Sequence, residues 1–105
     1  MIRAELFVRE KKIVGFHLTG HSGMDEYGKD VLCAFISSAA YMTANTITDV
    51  ICARAEAVAD EGDMYVRVAD GYTDRCRDIL SGFELHLLNT KEQYPEYLQV
   101  IYTEV

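Results

Sequence analysis

The chain has 105 residues, half of them apolar and 26% charged, which is enough for one compact core and too apolar for a disordered chain. A formal net charge of −7 argues against a binder of phosphate backbones and favours a basic partner, because opposite fields speed encounter. No uninterrupted apolar run approaches the ~20 residues of a bilayer span. "MIRAELFVRE" places charges inside its apolar stretch, unlike a secretory signal, so a cytoplasmic location and no membrane association are expected.

From Ile2 to Val8 apolar residues alternate, and they do so again at Val14, Phe16 and Leu18. Two period-two runs joined by the short charged turn Glu10–Lys12 predict a β-hairpin. The segment "GHSGMDEYGKDVLC" follows, from Gly20 to Cys33, with three of the seven glycines. It is too polar for core and too long for a tight turn, so it reads as a loop running into a helix. Asp30 has the residue type of an N-cap, and apolar positions then recur every three or four residues: Val31, Phe35, Ala39 and Met42, and Leu32, Ile36, Ala40, Thr43, Ile47 and Ile51. A wide, mostly buried helix is the expectation. "AEAVAD" and "DMYVRV" around Glu61–Gly62 predict a second hairpin, with Met64, Val66 and Val68 on one side. A second helix is predicted from Thr73 to about Lys91, with Cys76, Leu80, Phe83 and Leu87 as its core stripe. After Pro95, "YLQVIYTEV" predicts a last strand. The order ββ-α-ββ-α-β in a single domain over 1–105 implies an α+β fold, a mostly antiparallel five-stranded mixed sheet with two helices packed on one face.

The three cysteines, Cys33, Cys52 and Cys76, are widely spaced, with no pair suited to zinc or redox chemistry, so free thiols and no metal or cofactor are expected. If Asp30 caps the first helix, Cys33 falls in its first turn, where unpaired N–H groups and the positive end of the helix dipole favour a thiolate. A thiol of pKa ~8.5 is only about 3% ionised at neutral pH, so such a shift matters. Cys52 lies at the opposite helix end and Cys76 in a core stripe. His21, after Gly20 at a strand end, is the candidate proton shuttle. A thiolate attacking a carbonyl, amides receiving the oxyanion and His21 protonating the leaving amine would together cleave a peptide bond. Asp30 and Ser37 flank Cys33 on the same helical face. Asp30 either caps the helix or also orients His21; Ser37 either packs or bonds the substrate. Gly20, Ser22, Gly23 and Gly28 mark the loop as a flexible active-site segment. The alternative for Cys33 is a small core residue. The tyrosines are scattered, so direct nucleic-acid binding through stacking is not expected.

"GHS", "GKDVLC" and "AFIS" set Gly20-His21, Gly28, Asp30, Cys33 and Ser37 in a spacing that resembles the ribosomal-processing cysteine protease family called Prp, and the likeness runs over essentially the whole chain. The resemblance implies a homodimeric endopeptidase with a His21–Cys33 dyad. It also implies a substrate, the precursor of bacterial large-subunit ribosomal protein twenty-seven, cut between a short aromatic-and-small segment and following lysines. Two other functions fit the residues alone. One is a non-catalytic acidic module that holds a basic ribosomal protein; the other is a thiol acyltransferase or esterase using the same dyad. Homodimerisation is also expected from apolar surface left at Phe7, Phe16 and several tyrosines.

Overall fold

The computed structural model describes residues 1–20 and 26–105, with side chains described for 1–20 and 31–105. Strands β1 (Ile2–Arg9) and β2 (Lys12–Gly20) form the first hairpin. Its two-residue turn holds Glu10 and Lys11 at φ 52° and 66°, the left-handed pair that matches the twist of the flanking strands. Helix α1 (Glu26–Asn45) continues into a π-turn at Thr46–Val50, where the Ile51 N–H donates to Thr46 O at 2.8 Å. Strands β3 (Ala55–Asp60) and β4 (Asp63–Val68) make the second hairpin, and a 3-10 turn at Asp74–Cys76 leads into α2 (Arg77–Gln93) and then β5 (Leu98–Glu104). The sheet order is β3-β4-β2-β1-β5, antiparallel throughout except for the parallel pair β1–β5. This is the α+β architecture expected from the sequence.

Period-two alternation sends Ile2, Ala4 and Leu6 from β1, Phe16 and Leu18 from β2, and Met64, Val66 and Val68 from β4 to the same side. Both helices cover that side. Leu32, Ile36, Ala40, Ala44 and Ile47 of α1 and Leu80, Phe83 and Leu87 of α2 complete one cluster. The Phe16 and Phe83 rings meet at 4.6 Å in a tilted pair, which ties β2 to α2. Thr43 is buried among these apolar residues and returns its hydroxyl to Ala39 O at 2.8 Å, so no polar group is stranded there.

Three expectations are corrected. The first helix does not begin after Asp30: α1 is continuous from Glu26, so Asp30 is its fifth residue and Gly28 its third. Glu and Lys are good helix formers, and the one glycine costs only about 1 kcal/mol, so the long buried stripe downstream can extend the helix back past a residue whose type alone suggests a cap. Nor is α1 mostly buried, since Val31, Phe35 and Met42 are 70%, 53% and 58% exposed. Conversely, Phe7 and Phe16 are buried. Phe7 lies on the sheet face away from the helices, 5.6 Å from the Tyr65 ring. The stretch Val31–Val50 is apolar and long enough to cross a membrane, with mean hydropathy 1.3, but its inner stripe is built into the core.

Gly15 of β2 is a packing requirement. A Cβ there would stand 2.2 Å from Val66 O and 2.9 Å from Arg67 Cα, both backbone atoms of β4 that cannot swing aside. Gly15→Ala is therefore expected to destabilise the fold by about 2 kcal/mol or more, through forced separation of the central strands. Urea denaturation checks this; a midpoint equal to that of the parent chain would contradict it.

Candidate active site

The buried stripe of α1 decides which way its flanks point. Successive helical residues are 100° apart, so Cys33, Ser37 and Tyr41 each follow a buried residue (Leu32, Ile36, Ala40) and form one flank. That flank is one wall of a cleft of about 430 Å³. The opposite wall is the end of β2, at Thr19 and Gly20, together with the β3–β4 turn from Ala59 to Met64. Ile2 and Leu18 also line it. Cys33 is half-buried, packed against the core and lining the cleft.

The three thiols separate by environment. Cys76 is fully buried, and burial pushes its thiol above the ordinary value. Cys52, just past the π-turn, is exposed at φ 59° and points its sulfur toward Asp49 O at 3.6 Å. Of the three, Cys33 lines the cleft of about 430 Å³.

The electrostatic setting of Cys33 differs from the one expected. With α1 starting at Glu26, Cys33 is its eighth residue, about 10 Å along the axis from the helix origin. The unpaired amides and the concentrated dipole charge belong to the first turn. They therefore lie at residues 26–29, and neither thiolate stabilisation nor an oxyanion hole from the helix start applies at Cys33. Asp30 sits in the third-to-last position before Cys33 on the helix rather than at its cap.

His21, Ser22 and Gly23 lie outside the described residues. Gly20, immediately before them, is well placed. It has φ +92°, and a Cβ on it would meet Met1 O at 2.5 Å, so both conformation and close approach demand glycine. Its N–H donates to Gly62 O at 3.2 Å, which locks the end of β2 to the turn of the second hairpin. The chain thus leaves the sheet toward His21 from the wall facing Cys33. Of the residues singled out in the sequence, Gly20, Cys33 and Ser37 line one cleft.

The sequence reading missed the second wall. Asp60, Glu61 and Asp63, three acidic residues within four positions, border the cleft. The local signal was present as "DEGD", but hairpin pattern alone does not say which end of the sheet a turn will face. Asp63 Oδ1 is 2.9 Å from His17 Nε2, an interaction made beside Tyr65 on the far side of the strand. Among the described residues, no group of three His, Cys, Asp or Glu side chains is disposed to hold a metal ion.

In the native protein, iodoacetamide is expected to modify Cys33 and Cys52 and to spare Cys76 until the chain unfolds. Peptide mapping by mass spectrometry reads this directly. Protection of Cys33 equal to that of Cys76 would remove it from the cleft.

Comparison with known proteins bears on what this cleft does. The family described as Cysteine protease Prp matches residues 1–99. Two relatives from Staphylococcus aureus strains, Mu50 and NCTC 8325, each called ribosomal processing cysteine protease Prp, are 27% identical to the chain, covering 97% of it and 99% of their own length. The crystal structure of the essential ribosomal processing protease Prp from S. aureus with a covalently linked product peptide superposes with a TM-score of 0.87 at 26% identity, over 98% of this chain and 100% of that one. The same protease in complex with a substrate peptide gives a TM-score of 0.85 at 25% identity, with the same coverage.

Proposed function

The chain belongs to the cysteine protease Prp family and is a cysteine protease, and from that premise we propose that it removes the N-terminal extension of bacterial large-subunit ribosomal protein twenty-seven with Cys33 as nucleophile and His21 as its acid–base partner. One observation carries the assignment of residues: Cys33 is half-buried on the wall of the cleft whose opposite wall ends at Gly20, the residue preceding His21. The covalently linked product peptide of the S. aureus relative supports a reaction in which the enzyme forms a bond to its substrate. Membership in a protease family decides against the non-catalytic module.

His21 takes the thiol proton of Cys33, and the sulfur attacks the carbonyl carbon of the scissile bond. The tetrahedral adduct collapses as the C–N bond breaks, and His21 returns the proton to the departing amine. Water, deprotonated by the same imidazole, then attacks the thioester and frees the acid and the thiol. Ser37, one turn beyond Cys33 on the same wall, is suited to donate its hydroxyl to a substrate carbonyl. The chemistry needs no cofactor. The net charge of −7 complements a basic ribosomal protein, and the reaction takes place in the cytoplasm where that precursor is made. The working form is a homodimer, supported by the exposed apolar side chains Val31, Met42 and Leu85 of the helices.

A peptide spanning the extension junction is expected to be cut by the parent protein, and Cys33→Ala is expected to lower the rate by about a thousand-fold or more with an unchanged far-ultraviolet circular dichroism spectrum. Cys52→Ala is expected to cleave at the parent rate. Undiminished cleavage by Cys33→Ala would reject the assignment. Light scattering is expected to give twice the 11.9 kDa chain mass, and a monomer at micromolar concentration would reject the dimer.

A further inference from the structure

His17 stands apart from the chemistry at Cys33, on the sheet face away from the helices, and its neighbours set its direction. Its cross-strand partners are Glu5 on β1 and Tyr65 on β4. The Tyr65 ring meets the imidazole in an edge-to-face arrangement at 5.7 Å and lies 5.6 Å from the buried Phe7 ring, so the aromatic side of the contact is anchored. Glu5 is engaged elsewhere and accepts the Thr103 hydroxyl at 2.6 Å. Nε2 reaches along the sheet to Asp63 Oδ1 at 2.9 Å; a carboxylate oxygen only accepts, so the ring donates.

Asp63 begins β4, and its position calls for such a partner. Asp60 is its cross-strand partner across the turn Glu61–Gly62, so two carboxylates share one sheet face at the mouth of the hairpin, a pairing that repels. Residues 60–63 are all exposed, so no core packing pins this tip. On the β2 side the ladder ends at Thr19 and Asp63. Beyond it the Gly20 N–H donates to Gly62 O at 3.2 Å, the long end of the range for such a bond. The His17–Asp63 bridge lies beside that weak closing bond and draws Asp63 away from Asp60.

We propose that His17 and Asp63 form a clasp that keeps the β3–β4 turn seated on the end of β2, and that His17 is thereby a positioning residue for the reaction; the second clause rests on the reading of Cys33 and His21 as the reacting pair. Asp63 held by His17 keeps the adjoining Gly62 carbonyl on the Gly20 N–H. Gly20 is the last residue before His21, so its placement sets where the tether of the acid–base group starts, across the cleft from Cys33. A loosened tether leaves the helix wall in place and makes the reactive geometry rarer, which is a loss in kcat rather than in binding.

The test pairs kinetics on a peptide spanning the ribosomal-protein junction with amide hydrogen exchange read by nuclear magnetic resonance. His17→Phe keeps a ring against Tyr65 and loses the donor, His17→Gln returns an amide N–H near the place of Nε2, and Asp63→Ala removes the acceptor from an exposed position. His17→Phe and Asp63→Ala are each expected to lower kcat about three- to five-fold with KM within about two-fold of the parent, and the double variant to lose no more than either alone. His17→Gln is expected to recover most of the loss. The Gly20 amide is expected to exchange about five-fold faster in His17→Phe and Asp63→Ala, with the Phe16 amide of the same strand unchanged. Gly20 exchange at the parent rate in both variants overturns the clasp, as does a loss that His17→Gln fails to restore. Parent kcat alongside a loosened Gly20 amide overturns the positioning role. A parent protein that cuts no junction peptide rejects the reading of Cys33 as nucleophile, while the Gly20 amide still decides the clasp.

Discussion

The site depends on the burial of one narrow stripe of α1, comprising Leu32, Ile36, Ala40 and Ile47, against the helix-facing side of the sheet. That stripe fixes the rotation of the helix about its axis. One flank then carries Cys33, Ser37 and Tyr41 toward the β2 terminus and the second hairpin, while the other carries Val31, Phe35 and Met42 toward α2, where Phe35 stacks at 4.8 Å on His86. A rotation of 100° would put the sulfur in the core or in open solvent. The apolar core therefore aims the nucleophile, and no polar interaction is required to do so.

Most of the fold was legible because its signals are local. Alternation in "IRAELFV" and "VGFHL", and in "DMYVRV", defines half-buried strands, and the step from Leu80 to Phe83 to Leu87 defines a helix face. The start of α1 was not legible in this way. Asp30 has a strong local preference for a cap, but whether a helix begins there depends on the stability of everything it is joined to, and α1 runs on through it from Glu26. The thiol was found for a reason that the helix start does not support: proximity to a capped origin pointed to Cys33, whereas its place on a cleft wall is what distinguishes it from Cys52 and Cys76. The second wall was invisible for a different reason. Asp60 and Glu61 are nearly thirty residues from Cys33, and only the pairing of β4 with β2 brings the hairpin turn to Gly20.

Charge is distributed with the same economy. The ion pairs Arg9–Asp70 and Lys12–Asp74 lie at the opposite end of β1 and β2 from the cleft, and they join the first hairpin to the segment before α2. Lys12 holds the Asp74 carboxyl below its ordinary range. The cleft end carries acidic groups, so the molecule is polarised along the strands. A basic peptide approaching such a field is steered to the end where Cys33 lies.

The parallel pairing of β1 with β5 has a temporal meaning. Ile2 finds its partner in Leu98, and the Ile2 N–H donates to Tyr97 O at 2.9 Å, so a strand that is among the first made waits for one of the last. Ile2 also forms part of the cleft. β5 follows the first hairpin and α1 at a long distance in the chain, and until it pairs the outer edge of β1 has no partner strand. Closing that edge is a late, long-range step in folding, set by the order of the strands along the chain rather than by any local preference.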